Sequence, residues 1–470
     1  MSNYKPTIGL EVHVELKSKN KVFSNVLNKY DALPNTLVDP IDFGYPGVLP
    51  TINSEVIDIA LKAVLAMNMK VSKKMHFDRK NYYYPDLTKG YQITQDVSPI
   101  GYDGYLVIND KKIGIERLHI EEDTAKSLHS SGVTLLNYNR SGVPLVEIVT
   151  RPDISSGLEA MKFLTNLKEL LFYLDVSDCK MEEGSMRCDV NISLSDSDIL
   201  GKKVEIKNIG SFKEVGLTIE HEIKRQTEIL DNNGTVEIET RRFDGKTNTT
   251  VVMRKKEILN DYKYLAEPDI PFIYITDEKI EEIKKELVLL PNDRRNIYLD
   301  RGILDINVEK IINNKDLSDY LNLYIDTDIN FKIASNLLLG EISSYINSKK
   351  ISIFDTALTY DKFIEIVNLL ETGEITNQIF KNIINDIMEL DLDIKSILSK
   401  NNISLISNDV NLDELVIIIN KILENEKESV LLYKSGKNGA FKYLMGLVMK
   451  EVKGRFNPKV VNDILSSLLK

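Results

Sequence analysis

Ile8-Gly9-Leu10-Glu11-Val12-His13-Val14-Glu15-Leu16 alternates apolar and polar residues, with only a glycine among the polar set. Successive side chains of an extended strand point to opposite faces. Ile8, Leu10, Val12, Val14 and Leu16 therefore share one face, which reads as core, and Glu11, His13 and Glu15 share the other. Two carboxylates around an imidazole suit a divalent cation or proton transfer. A lone Glu-x-His-x-Glu is equally compatible with the solvated face of a half-exposed strand. Repetition of the pattern in later segments favours chemistry over solvation.

Arg117-Leu118-His119-Ile120-Glu121-Glu122-Asp123 ends in three consecutive acids, which repel one another unless a cation lies among them. Pro144-Leu145-Val146-Glu147-Ile148-Val149 sets one acid in an apolar strand. An unpaired carboxylate there would carry a heavy desolvation penalty, so Glu147 is expected to have a metal or a basic partner. Met186-Arg187-Cys188-Asp189-Val190-Asn191 places Arg187, Asp189 and Asn191 on one face, and Val204-Glu205-Ile206-Lys207 pairs Glu205 with Lys207 in the same way. Phe77–Asp86 concentrates cations, an amide, aromatics and acids in ten residues. A polar sheet face that collects Glu, Asp, His, Arg and Lys from separate strands is expected to hold a divalent cation and a phosphate-bearing ligand. Carboxylates with one imidazole suit Mg²⁺ or Mn²⁺, and Arg and Lys neutralise phosphate oxygens. Neither Gly-x-x-x-x-Gly-Lys-Ser/Thr nor Gly-x-Gly-x-x-Gly occurs, so a nucleotide would not be held by either of those loops.

The 470 residues suffice for two to four domains, and 43% hydrophobic with 28% charged residues is an ordinary soluble composition. No apolar run approaches the roughly 18 residues of a membrane span, and the opening Met-Ser-Asn-Tyr-Lys-Pro is expected to carry no secretory leader. Cys179 and Cys188 have neither metal-binding nor redox spacing and read as reduced thiols in a cytoplasmic protein, Cys188 in the core. A net charge of −11 excludes an overall basic coat but not a local nucleic-acid patch.

The expected fold class is α+β. Residues 1–292 mix alternating strands and turns with a few helices, among them Ser54–Met69 and Ser156–Leu174. From Pro291 onward Leu, Ile, Asn and Lys recur near a 3.6-residue period, which predicts helices. The polar stretch Asn401–Asn411 suggests a boundary, giving a helical domain over 293–400 and a helical tail over 401–470. Between Tyr433 and Lys470 eight cations stand against two acids. There Phe441, Leu444, Met445, Val448 and Val452 form an apolar stripe that leaves Lys442 and Lys450 on another side. With Lys453 and Arg455 they form the candidate nucleic-acid contact.

In order along the chain, Ile8–Leu16, Tyr45–Pro50, Phe77–Asp86, Arg117–Asp123, Asn139–Val149, Lys180–Asn191, Glu239–Phe243 and Asp261–Pro271 closely resemble the B subunits of the tRNA-dependent amidotransferases. The resemblance covers essentially the whole chain. It implies a mixed-sheet cradle with an ATP/Mg²⁺ site, a helical domain, and a tail that grips tRNA. It implies amidation of Glu-tRNA(Gln), Asp-tRNA(Asn) or both, in a heterotrimer with a glutaminase A subunit and a small C subunit. By the same resemblance the metal ligands, which also count as catalytic, map onto Glu11, His13, Glu122 and Glu147. Glu121 or Asp123 can stand in for Glu122, since sequence does not fix which acid points inward. Local chemistry adds Asp189 and Glu205 as metal or water contacts and Arg187 and Lys207 as phosphate partners, with Lys207 also counted as catalytic.

Two positions depart from the family pattern. Lys263 replaces an arginine and loses its bidentate fork, and Asn137 stands in place of an aspartate and is not counted as a ligand. Neither cysteine has a neighbouring histidine in sequence and no amidase-like nucleophile loop is present, so ammonia is expected from a partner. Lys80, Tyr82 and Tyr83 are candidates for the exit of its channel, with a packed aromatic cluster favoured for the tyrosines. The competing expectation is a non-catalytic tRNA-binding scaffold whose acids hold only a structural metal.

Overall fold

The alternation of the opening segment is realised as a strand over Lys5–Glu15, in which Ile8, Leu10, Val12 and Val14 are fully buried. The structure, a computed structural model, describes residues 4–130, 132–255, 262–405, 412–434, 438–452, 456 and 458–469. Lys5–Glu15 is the middle strand of a nine-stranded sheet. From one edge to the other the strands are Thr249–Lys255, Glu239–Asp244, Val204–Lys207, Met186–Ser195, Lys5–Glu15, Pro144–Thr150, Lys111–Glu122, Gly101–Ile108 and Lys70–Val71. Neighbours are antiparallel except for the parallel pair Val204–Lys207 and Glu239–Asp244.

The apolar face packs in one core with Phe163, Leu164 and Leu167 of the Gly157–Tyr173 helix, Val215 and Ile219 of the Phe212–Asp231 helix, and Val56, Leu61 and Val64 of the Ser54–Ala66 helix. Each helix starts where a polar side chain accepts from an otherwise orphaned N–H. Asn53 accepts from Glu55, Ser156 from Glu159 and Ser211 from Glu214. A smaller sheet of Asp78–Asn81, Tyr91–Thr94 and Leu265–Ala266 is fastened by Arg79, which grips Glu267 at 2.7 and 2.9 Å and Asp269 at 3.1 Å.

The chain forms two compact units, Met1–Leu290 and Pro291–Lys470. The described part of the second unit is built of helices with short 3₁₀ and π turns, around two separate apolar cores. One runs from Tyr298 to Leu398 and the other from Leu415 to Leu469. The expected stripe of the Asn438–Val452 helix is present. Leu444, Val448 and Val452 are buried, Phe441 and Met445 pack beside them, and Lys442 and Lys450 are exposed. Lys453 and Arg455 lie outside the described residues, as does Asp261.

Candidate functional site

Strand register assembles the site on the polar face of the sheet. Arg187 lies opposite His13, His13 opposite Glu147, and Glu147 opposite His119, forming one row across four strands. The neighbouring row runs Asp189, Glu11, Val149, Arg117. These contacts join residues distant in sequence, and the core-facing half of each strand fixes the register by burying its apolar side chains.

Two acidic clusters result. In the first, the ligand atoms of His13, Glu121 and Glu147 lie within 4.8 Å of one another. His13 Nε2 is 3.3 Å from Glu147 Oε2 and 3.7 Å from Glu121 Oε1. His119 Nε2 approaches the same two carboxylates at 3.2 and 3.7 Å. The expectation that Glu147 needs a basic partner in its apolar strand is met by these two imidazoles. Burial works to lower both histidines, but Glu147 and Glu121 outweigh it. His13 is raised above its ordinary value, and His119 is pushed up to about 9. Burial works to raise Glu147, but His119 and His13 hold it well below the usual carboxylate range. One imidazole with two carboxylates is a donor set that a divalent cation accepts.

In the second cluster the carboxylate oxygens of Glu11, Asp189 and Glu205 lie within 4.8 Å of one another. Lys207 occupies it, with Nζ 2.5 Å from Asp189 Oδ2 and 3.0 Å from Glu205 Oε1. Asn191 donates to Glu11 at 2.7 Å and Thr240 to Glu205 at 3.0 Å. Burial works to lower Lys207, but Asp189 and Glu205 raise it above the ordinary lysine range.

The expected single coordination sphere of Glu11, His13, Glu122 and Glu147 is therefore not what the sheet builds. Glu11 belongs to the second cluster. Glu122 is in neither, because alternation along Lys111–Glu122 puts it with Leu118 and Ile120 on the core side. There it meets Lys89 Nζ at 2.5 and 2.6 Å and accepts from Ile93 N at 2.9 Å. Burial leaves its carboxyl raised despite Lys89. Glu121, an alternative left open by the sequence, is the acid beside His13. The phase of Leu118 and Ile120 was the available signal for it, and for His119.

Arg187, expected to meet phosphate, bonds Asp123 at 2.9 Å, and Arg140 grips the same carboxylate. Burial would raise Asp123, but Arg187 and Arg140 hold it below its ordinary value. Gly142 closes the Arg140 turn at φ +83°, where a Cβ would also come 2.8 Å from Asp42 Oδ1, so only glycine fits without rearrangement. Of the tyrosines assigned to an aromatic cluster, Tyr82 meets Tyr84 and Tyr262 edge-on, whereas Tyr83 is 93% exposed and belongs to no cluster among the described residues. Asn137 caps the Tyr138–Arg140 turn by accepting from Asn139 N, and the carbonyl of Lys263 accepts from Asn81 Nδ2 at 2.7 Å. Cys179 and Cys188 are free and buried, and burial pushes the Cys179 thiol up to about 11.

Comparison with known proteins gives one consistent result. Residues 6–281 match the family model described as the GatB/GatE catalytic domain, and residues 319–469 match that described as the GatB domain. The B subunit of the aspartyl/glutamyl-tRNA(Asn/Gln) amidotransferase of Geobacillus thermodenitrificans is 42% identical over 98% of both chains. The protein of the same name from Lysinibacillus sphaericus is also 42% identical over 98% of both. That from Ligilactobacillus salivarius is 41% identical over 100% of this chain and 99% of its own length.

Proposed function

The chain belongs to the family of aspartyl/glutamyl-tRNA(Asn/Gln) amidotransferase B subunits, and on that premise we propose that it activates the side-chain carboxylate of Glu-tRNA(Gln), Asp-tRNA(Asn) or both with ATP and Mg²⁺, then passes it to ammonia. Its partners in this reading are a glutaminase A subunit and a small C subunit, joined in a cytoplasmic heterotrimer. Among the described residues no helix is long and apolar enough to cross a membrane.

The chemistry follows from the leaving group. A free carboxylate does not exchange oxygen for ammonia, because hydroxide leaves poorly. Transfer of the terminal phosphoryl of ATP to the carboxylate oxygen gives an acyl phosphate and ADP. Ammonia attacks the carbonyl carbon, phosphate departs with the C–O bonding pair, and the amide forms once nitrogen loses a proton. Such transfer depends on positioning and on cations that spread the developing charge.

The single observation that carries this reading is the convergence of His13, Glu121 and Glu147 on a face otherwise rich in paired charge. These three residues would hold Mg²⁺, with Mn²⁺ as a substitute. Once bound, the ion supplies positive charge to phosphate oxygens. Glu11, Asp189 and Glu205, steadied by Lys207, would present acceptors for water on the nucleotide side. Arg187 uses a donor on Asp123 yet is 46% exposed, and its fork offers further N–H groups to a phosphate oxygen. The buried, high-pKa thiols do not suit a glutaminase nucleophile, which supports ammonia delivery from the partner.

The exposed Lys442 and Lys450, with Lys453 and Arg455, form the proposed tRNA grip. Reversing charge at Lys442, Lys450 and Lys453 should weaken tRNA binding and lower its salt slope by roughly two to three units, at about 0.7–0.9 per phosphate contact. Affinity measured at several salt concentrations checks this, and an unchanged slope would assign the grip elsewhere.

The reconstituted three-subunit complex, given each charged tRNA with ATP and glutamine, tests the whole proposal through the amino acid released from the tRNA. The isolated chain should release no ammonia from glutamine. If the complex amidates at the same rate without ATP, the acids serve a non-catalytic scaffold instead.

A further inference from the structure

Arg117 is absent from the set of residues expected to work at this site, yet it stands on the site face. Alternation along Lys111–Glu122 gives Arg117, His119 and Glu121 the same side, and register sets Arg117 opposite Val149, which in turn faces Glu11. It is thus one step along its strand from the His13–Glu147–His119 row. Among the described residues, no carboxylate makes an ion pair with it, and its Nε is buried without a hydrogen-bond partner. A buried donor is rarely left unmade.

Neighbouring groups show where the guanidinium exerts its field. Burial raises the Tyr264 phenol, Lys80 and Arg117 oppose it, and Asp96 and Glu147 add to it. Lys80, Glu147 and Arg117 therefore all act electrostatically on Tyr264. Lys80 is also without an ion-pair partner among the described residues, and lies 4.9 Å over the Tyr262 ring. The other cations of the face differ in this respect, since Arg187 and Lys207 are engaged by carboxylates.

We propose that Arg117 binds the oxyanion that reacts beside the His13–Glu121–Glu147 cluster, either a phosphoryl group or the carboxylate being activated. This rests on the ATP-dependent reading of the site given above. Three features support it. The planar guanidinium fork matches carboxylate and phosphoryl oxygens bidentately. Its unpartnered Nε leaves one prong of that fork unused in the free protein. Val149 is the only residue between Arg117 and Glu11 in their row, and it leaves an apolar gap spanning two strand spacings, roughly 9.5 Å. An incoming oxyanion in that gap would meet the arginine on one side and the acidic clusters with their cation on the other.

The test uses the reconstituted heterotrimer carrying the wild-type chain, Arg117→Gln or Arg117→Lys. For each, Mg²⁺ binding, thermal midpoint, kcat, and KM for ATP and for charged tRNA are measured. Arg117→Gln should lower kcat/KM by about 100-fold or more, the usual loss on removing one preorganised donor to developing charge. Half-saturation by Mg²⁺ should stay within about twofold of the wild type. Arg117→Lys keeps the charge and most of the packing but loses the fork, and should recover only part of the rate.

A loss already present in ATP cleavage without tRNA assigns the phosphoryl group. A loss confined to reactions with charged tRNA, with raised KM for it, assigns the carboxylate. The proposal is overturned if Arg117→Gln keeps wild-type kcat/KM for both substrates. It is equally overturned if Mg²⁺ affinity or thermal midpoint falls in step with the rate in both variants, which would make Arg117 structural. Absence of ATP-dependent amidation in the wild-type complex would instead overturn the underlying functional reading.

Discussion

The two acidic clusters are built by the same strand, from residues two positions apart, and are neutralised differently. Around Glu11, Asp189 and Glu205 the positive charge is an ammonium on the Val204–Lys207 strand, which also carries Glu205, with Lys207 bonded to two of the three acids. Around Glu121 and Glu147 it comes from two imidazoles, His13 and His119, at 3.2 to 3.7 Å. A lysine must leave before a cation can take its place. An imidazole can release a proton and itself become a ligand. The three acids of one cluster are thus satisfied by a resident lysine, whereas the two acids of the other share imidazoles that a divalent ion could recruit as ligands.

Loss of Glu147 should have the largest effect. Glu147→Gln keeps the volume but removes the charge that both imidazoles share. ATP-dependent activation by the reconstituted complex should fall by about 1000-fold or more, beyond the loss of one donor to developing charge, while circular dichroism remains native. Retention of most of the activity would remove the distinction between the clusters.

Lys207→Met sharpens the comparison from the other side. It leaves Asp189 and Glu205 facing each other without their cation and should destabilise the protein by about 1–3 kcal/mol, read by denaturant melts. Added Mg²⁺ should now stabilise the variant more than the wild type, because the variant has an acidic cluster without its resident charge. An equal Mg²⁺ effect on both would mean that the second cluster does not attract the ion.

The pH response is the smallest effect. The carboxylates beside it push His119 up to about 9 in the folded protein, against about 6.5 when unfolded. Raised pKa values mean that stability from His119 and His13 is fully present below about pH 6.5 and is lost as pH rises through the folded value. Lys207 is raised as well, so its contribution is fully present below about 10.4 and fades only at higher pH. Between about pH 6.5 and 9 the metal-free wild type should therefore lose thermal stability. A His13→Gln/His119→Gln variant should lose less over that window. A matching loss in both proteins would show that other groups govern the window.

Much of this was legible in the sequence because its cause is local. Strict alternation in Ile8–Leu16 fixes a strand and its two faces, and the helical period after Pro291 fixes the second unit. The helical period at Ser156–Leu174 was readable too, but the helix begun at Ser211 was not singled out. Glu147 was recognisable because a carboxylate among Leu145, Val146, Ile148 and Val149 demands a partner. The identity of that partner was not recognisable, since His13 and His119 meet it through register set by distant strands. The same reason hid the split between Glu11 and His13. They share a face, but each is drawn to what the adjacent strand places beside it, Asp189 on one side and Glu147 on the other. Family resemblance pointed to Glu122, whereas the phase set by Leu118 and Ile120 turns Glu122 toward Lys89 and Glu121 toward His13.

Titration of the full-length protein with Mn²⁺, followed by the loss of free-ion electron paramagnetic resonance signal, tests the central claim most directly. The wild type and Glu122→Gln should each bind the ion at the His13 cluster with similar affinity, and Glu121→Gln should lose that site. Tight binding by Glu121→Gln together with loss in Glu122→Gln would contradict the assignment and place the ion on the other side of the strand.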